Sequence, residues 1–207
     1  AQHSQSLEAL FTHIPGLQVC MPATRQDAYD LLLSSIHTND PAIVIENRTL
    51  YHSGKEPVTI NGPVQQIGKS ALRREGDDLT IVTWGSIQTR VLEAAEAAAS
   101  KDIEAEVIDL RWLRPYDLPT ILSSVARTRR LLIVHEAHTS GGFGAEVLSA
   151  VVEAGAEFIT PPRRIGTPAV RIPAAPSLAQ AVIPSSDLIL DGILAQVRGR
   201  VAATPTR

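Results

Sequence analysis

The chain has 207 residues, 44% of them hydrophobic and 20% charged, with a formal net charge of −3. That length suits one large domain or two small ones, with enough apolar content for a core. The mixed charge excludes the basic stripe of a nucleic-acid binder, no apolar stretch reads as a membrane span, and the single cysteine excludes an internal disulfide or a cysteine-based zinc knuckle.

The chain opens AQHSQS, without initiator methionine, basic leader or apolar signal, and is expected to be intracellular or cut from something intracellular. Ser4 to Thr12 carries Leu7, Leu10 and Phe11 at helical spacing, ended by Pro15-Gly16. LQVCM predicts a short strand in which Cys20 is a buried small hydrophobe. Thr24 with Asp27 predicts a capping box, followed by a helix whose face is Ala28, Leu31, Leu32, Ser35 and Ile36. Asn39-Asp40-Pro41 breaks it, and AIVIEN predicts a strand buried on both faces.

From Arg48 to Gly68 the pattern dissolves into Gly, Pro and Asn, the composition of a linker between two domains. The Glu75-Gly76-Asp77-Asp78 turn then predicts two adjacent strands, the first polar and at an edge. A regular alternation follows: strand LTIVTW, a helix from Ile87 to Ala99, strand EAEVIDL, a helix from Pro115 through Val125, strand RLLIVHE, and a helix opened by GGFG and running to Glu153. A last strand is predicted near Glu157 to Thr160, before a proline-rich passage and a helix capped by Ser185-Ser186-Asp187. This alternation predicts an α/β fold, three layers α/β/α around a mostly parallel sheet.

Three groups invite a chemical reading. GGFG lies between a strand and a helix, but its spacing is neither that of a dinucleotide fingerprint nor of a P-loop; a tight turn with positive φ explains it better. His135-Glu136-Ala137-His138 lacks the helical spacing of a zinc site; on a strand, His135 shares the face of Leu131 and Ile133, and Glu136 points away. Glu136 leaves the carboxyl end of a parallel strand, the edge that usually carries function. His3, among Gln2, Ser4 and Gln5 before a helical pattern, is the third.

HSQSLEALFTHIPGLQVCMP, followed by DAYDLLLSSI and DPAIVIENRTLY, resembles the β subunit of the decarboxylating component of 2-oxo acid dehydrogenases. TIVTWG, EVIDLRWLRPYD and VHEAHTSGGFGAEV resemble the same family's C-terminal domain, shared with transketolase-like enzymes. The resemblance runs from Gln2 to about Val197. It implies that residues 1–50 are the second half of a pyrimidine-binding α/β domain, 51–67 a linker and 68–207 a transketolase C-terminal-like domain. The chain would then begin midway through its first domain, after the glutamate that activates the cofactor, leaving a half-built sheet with an exposed edge.

The same resemblance implies oxidative decarboxylation of a 2-oxo acid (pyruvate or a branched-chain acid) or of acetoin, with transfer of the acyl group to a lipoyl arm. The cofactor would be thiamine diphosphate with magnesium. The family's GDG…NN motif is missing, Gly76-Asp77-Asp78 being its only echo, so the diphosphate half would be held by an α subunit or by a missing upstream part. Implied partners are that α subunit, a second β subunit and the lipoyl acyltransferase core, with no nucleic acid and no membrane. The location would be the bacterial cytoplasm, the mitochondrial matrix or a plastid.

His3 matches the histidine that lines the cofactor site, where a helix N-terminus would keep imidazole neutral enough to exchange protons. Ser35, Ile36, Thr38 and Asp40 match carbonyls that hold potassium in some members. Thr38 stands where an acid is common, and a plain helix C-terminus explains the four equally well. An assembly module without catalysis, or a transketolase or deoxyxylulose phosphate synthase relative, are the alternatives.

Overall fold

The computed structural model describes residues 4–60 and 62–199. Its strands form two sheets. The first unit contains α1 (Glu8–Thr12), β1 (Gln18–Cys20), α2 (Arg25–His37) and β2 (Ala42–Val44), then a 3-10 turn over Arg48–His52. The second contains β3 (Ala71–Arg74), β4 (Leu79–Thr83), α3 (Gln88–Ala99), β5 (Ala105–Asp109), β6 (Trp112–Arg114), α4 (Leu118–Thr128), β7 (Leu131–His138), α5 (Gly144–Glu153), β8 (Arg163–Thr167), α6 (Pro176–Val182) and α7 (Ser186–Arg198).

The five-stranded sheet runs β3-β5-β4-β7-β8, parallel except for β3 at its edge. On one face Leu79, Ile81, Val107, Leu132 and Val134 pack against Val91, Ala94 and Ala98 of α3 and Ile189 and Ile193 of α7. On the other, Val82, Leu131 and Ile133 meet Ile121 and Val125 of α4 and Val147 and Val151 of α5. Strands covered on both faces must be continuously apolar, as β4, β5 and β7 nearly are. The expected three-layer α/β/α fold is present.

The small sheet runs β2-β1-β6. β1 and β2 are parallel, whereas β6 joins from the second unit, antiparallel to β1. Val19 and Met21 continue the second unit's apolar cluster, and Trp112 of β6 is buried with Cys20 and Leu31. The Thr24–Asp27 capping box forms as expected: Asp27 N donates to Thr24 Oγ1 at 3.1 Å, and Thr24 N donates back to Asp27 Oδ2 at 3.2 Å.

Several expectations fail for identifiable reasons. α1 starts at Glu8, not Ser4, and has no side-chain cap. β2 is half-buried throughout because it lies at a sheet edge. β3 and β4 are not neighbours; β5 lies between them, and Gly76 permits it, since a Cβ there would meet the backbone of Ala105 at 2.4 Å. The last strand is Arg163–Thr167, and α6 arises in the proline-rich passage with Pro176 in its first turn.

The supposed linker is stitched to α2. Gln26 and Thr59 exchange two hydrogen bonds, and Ser34 Oγ donates to Gln65 O at 2.8 Å. Contrary to the sequence reading, Pro176–Arg198 is long and apolar enough to cross a membrane by length and composition. In the fold it is two helices, α6 and α7, with Ile189 and Ile193 buried against the sheet.

Candidate functional site at the joint of the two sheets

The carboxyl edge of a parallel sheet is where α/β folds usually receive a ligand. Here that edge receives the first unit instead. Trp84, just after β4, and Glu136, near the end of β7, reach it directly, and Asp109, at the end of β5, is linked to it through Arg73.

After β4, Trp84 Nε1 donates to Glu8 Oε1 at 3.1 Å, with both residues buried. Burial raises the Glu8 carboxyl above its usual range; the Trp84 bond pulls it down, and the nearby charge of Glu136 raises it further. Glu8 Oε2 is buried without a hydrogen-bond partner among the described residues. Four residues earlier, Ser4 Oγ donates to Ile172 O at 3.2 Å, so both ends of the 4–8 stretch are held by the second unit.

At the end of β7, Glu136 accepts from Ser86 Oγ at 2.6 Å and from Asn47 Nδ2 at 3.1 Å. Asn47 Nδ2 also donates to Ser86 Oγ at 2.7 Å, while its carbonyl caps the 3-10 turn through Thr49 N. One amide thus ties the loop after β2 to the ends of β4 and β7. Beside it, a cleft of about 170 Å³ runs between the first turn of α2 and residues 46–53, lined by Pro22, Thr24, Arg25, Glu46, Asn47 and Tyr51.

After β5 the joint is ionic. Arg73 bridges Asp27 of α2 and Asp109, which it meets at 2.8 Å. Gln88 Nε2 and Arg111 N also donate to Asp109, at 3.0 and 3.1 Å. Complete burial pushes the Asp109 carboxyl up to about 6, although Arg73 opposes it.

His135 lies under this joint, stacked on Trp84 with ring centroids 5.3 Å apart and planes 11° off parallel. Phe143 meets the Trp84 ring edge-on at 5.8 Å. The GGFG segment makes room: a Cβ on Gly142 would approach His135 Cε1 to 2.9 Å, and one on Gly144 would approach Cδ2 to 2.6 Å. Only Gly141 serves the expected positive-φ turn. Burial lowers the His135 pKa to about 4, helped by the charge of Arg164. The imidazole is therefore neutral at physiological pH.

His3 lies outside the described residues. The helix N-terminus expected beside it is not there, because residues 4–7 are non-helical and α1 begins at Glu8. Ser35, Ile36, Thr38 and Asp40 sit at the end of α2 and the turn into β2, where Gln18 Nε2 donates to Thr38 Oγ1 and Asp40 Oδ2, each at 3.2 Å. That turn lies at the amino ends of β1 and β2, the opposite end of the small sheet from the joint. Among the described residues no group of three or more His, Cys, Asp or Glu could hold a metal ion. Gly76-Asp77-Asp78 lies at the amino end of β4, and its glycine is there for the contact with β5.

Of the joint residues, sequence reasoning gave only Glu136 a functional reading, and Asp27 only a capping one. The same carboxyl-end rule, applied to TIVTWGS, EVIDLR and AIVIEN, points to Ser86, Asp109 and Asn47. No sequence signal pairs Trp84 with Glu8, 76 positions away.

Residues 68–189 match the family of Transketolase, C-terminal domain, and residues 1–53 match Transketolase, pyrimidine binding domain. The chain is 36% identical over 196 residues to the pyruvate dehydrogenase E1 component subunit beta of Rhizobium meliloti, covering 94% of this chain and 43% of that protein. It is 41% identical over 194 residues to the acetoin:2,6-dichlorophenolindophenol oxidoreductase subunit beta of Cupriavidus necator, covering 90% and 55%. It is 40% identical over 171 residues to the mitochondrial 2-oxoisovalerate dehydrogenase subunit beta of Chaetomium thermophilum, covering 82% and 36%. The chain thus spans about half the length of these relatives or less. A solved split-gene transketolase, an inactive beta4 tetramer, shares the fold at TM-score 0.78 and 22% identity, covering 92% of this chain and 61% of that one.

Proposed function

Because this chain belongs to the family of transketolase C-terminal domains, we propose that it is the β-subunit portion of a thiamine diphosphate-dependent 2-oxo acid dehydrogenase. The observation that carries this reading is order: the pyrimidine-binding and C-terminal matches follow one another along the chain. Identity of 36–41% to β subunits of pyruvate, acetoin and 2-oxoisovalerate enzymes spans both. The assembled protein decarboxylates pyruvate or a branched-chain 2-oxo acid and passes the acyl group to the lipoyl arm of an acyltransferase core. Residues 1–50 are the half domain, 51–67 the connection and 68–207 the C-terminal domain.

Thiamine diphosphate, when bound, supplies the electron sink for decarboxylation. Its diphosphate and magnesium fall to an α subunit, a reading supported by the missing GDG…NN motif and by the lack, among the described residues, of three or more His, Cys, Asp or Glu grouped to hold a metal ion. What this chain offers is the entrance to α1, where two buried polar atoms, Gln5 Nε2 and Glu8 Oε2, have no partner among the described residues and suit a neighbouring polar group. The proton-transfer role is assigned to His3. The carbonyls of Ser35, Ile36, Thr38 and Asp40 would hold potassium, at a helix end whose free carbonyls and dipole favour a cation. The proteins so assembled are two α and two β subunits.

Replacing His3 by Ala in the assembled protein tests this. Turnover is expected to fall roughly a hundred- to ten-thousand-fold, as for loss of a general acid or base, while cofactor affinity and Tm stay close to wild type. Normal turnover with a lowered Tm overturns it. Exposed Leu10 on α1, Ile14 just after it, and Leu32 and Ile36 on α2 favour a second reading, in which the chain is an assembly module only. A His3→Ala protein that assembles fully and turns over normally is the result that reading expects.

A further inference from the structure

We propose that Trp84 is a positioning residue for the thiamine site, acting through Glu8 to fix the Ser4–Glu8 stretch against the C-terminal domain. This rests on the function proposed above. It also gives the C-terminal domain a part in turnover beyond holding subunits together.

α1 has five residues and no side-chain cap, and Leu10 on it is exposed. A helix that short has no stability of its own and takes its orientation from what it touches. Its polar anchor is the Trp84 Nε1–Glu8 Oε1 bond, and the stretch before it is held by Ser4 Oγ on Ile172 O. Both anchors come from the second unit. Between them lies Gln5, whose buried amide nitrogen has no partner among the described residues. The polar groups facing the proposed cofactor therefore take their position from the large sheet.

Trp84 is itself held from behind. His135 stacks on one face of the indole, Phe143 closes on it edge-on, and Gly142 and Gly144 let the imidazole sit that close. An indole clamped this way directs its single N–H in one direction. The acceptor is also costly: a carboxyl group buried near Glu136, with one oxygen unpartnered among the described residues, stabilises the fold no better than an amide acceptor would. Such a group suits a site where position matters more than stability.

Three variants of the protein assembled with its α subunit decide the matter, with His3→Ala measured in parallel. Trp84→Phe keeps the ring on His135 and removes the N–H. It should lower kcat roughly ten- to hundred-fold, the scale of a small misplacement of reacting groups, with KM for the 2-oxo acid, cofactor affinity and assembly within two- to three-fold. Glu8→Ala, which removes the acceptor, should show the same split, and Glu8→Gln, which restores an acceptor oxygen, should recover most of the lost rate. Wild-type kcat in Trp84→Phe overturns the proposal, as does a joint fall of kcat, cofactor affinity and assembly. Should Trp84→Phe not assemble, Glu8→Ala with unchanged kcat overturns it equally. If His3→Ala is fully active the reading of the site fails; if His3→Ala is inactive and Trp84→Phe is not, the positioning role alone fails.

Discussion

The two sheets of this molecule are built from the same alternation and finished to different degrees. In the large sheet β4 and β5 are buried at every position, and helices cover both faces. In the small sheet β2 is half-buried throughout, and Leu10, Ile14, Leu32 and Ile36 are exposed on its helices and turns. Its third strand is lent by the other unit. The large sheet has what a domain needs to stand alone, whereas the small one has its order imposed through β6 and the polar joint.

The most forceful way to break that contrast is Trp112→Ala. Trp112 lies in β6 but fills the core of the small sheet with Cys20 and Leu31. Removing so large a buried side chain costs about 3–5 kcal/mol. Hydrogen exchange should show protection collapsing over residues 18–44, while β4, β5 and β7 keep theirs. A uniform loss across both sheets would mean one cooperative unit, and the contrast would be wrong.

The contrast also governs what could be read from sequence. The large sheet was legible because its strands and helices each carry their own period. β6 was not: three residues after a left-handed Arg111, with φ 57°, pair with β1 some ninety positions earlier, and nothing local encodes that partner. The last strand was misplaced because Arg163-Arg164 looks unlike a buried strand, and β8 is an edge. At the joint, Glu136 was visible as a strand-end carboxylate. Its partners were not, since Asn47 and Ser86 are ordinary loop residues until the two units meet.

A second prediction separates core from joint by pH. Unfolded, His135 takes a proton near pH 6.5; folded, not until about 4. Above 6.5 both states are neutral and the group contributes nothing. Below it the unfolded chain gains a proton that the folded one refuses, so stability falls between pH 6.5 and 4, by up to roughly 3 kcal/mol. Asp109 has the opposite sign: held up to about 6, its burial penalty is fully present above that pH and is relieved as the pH falls towards the ordinary carboxylate range. The two largely offset in the wild type, so the test is a difference: His135→Gln should gain stability relative to wild type, by up to roughly 3 kcal/mol, as the pH falls from 6.5 to 4 in denaturant unfolding. A difference that stays constant over that range would show that the core beneath Trp84 contributes no acid sensitivity.

The smallest expected effect sharpens the picture within the small sheet. Thr24 and Asp27 satisfy two of the free amides at the start of α2, so Thr24→Ala should cost about 1 kcal/mol. Asp27, though, has a second task, since its carboxylate also receives Arg73 from the large sheet and lies 3.6 Å from Arg111. Asp27→Asn keeps an oxygen for the cap but removes the charge between two guanidinium groups, one of them also on Asp109. If the small sheet takes its order from the joint, Asp27→Asn must cost more than Thr24→Ala, because it leaves a largely buried cation short of a partner. Combining either change with Trp112→Ala should then give less than the sum, since a unit already released from β6 has less docking left to lose. Strict additivity in that double-variant cycle would mean that cap, ionic bridge and borrowed strand act independently, and that the small sheet holds itself together better than its exposed apolar faces suggest.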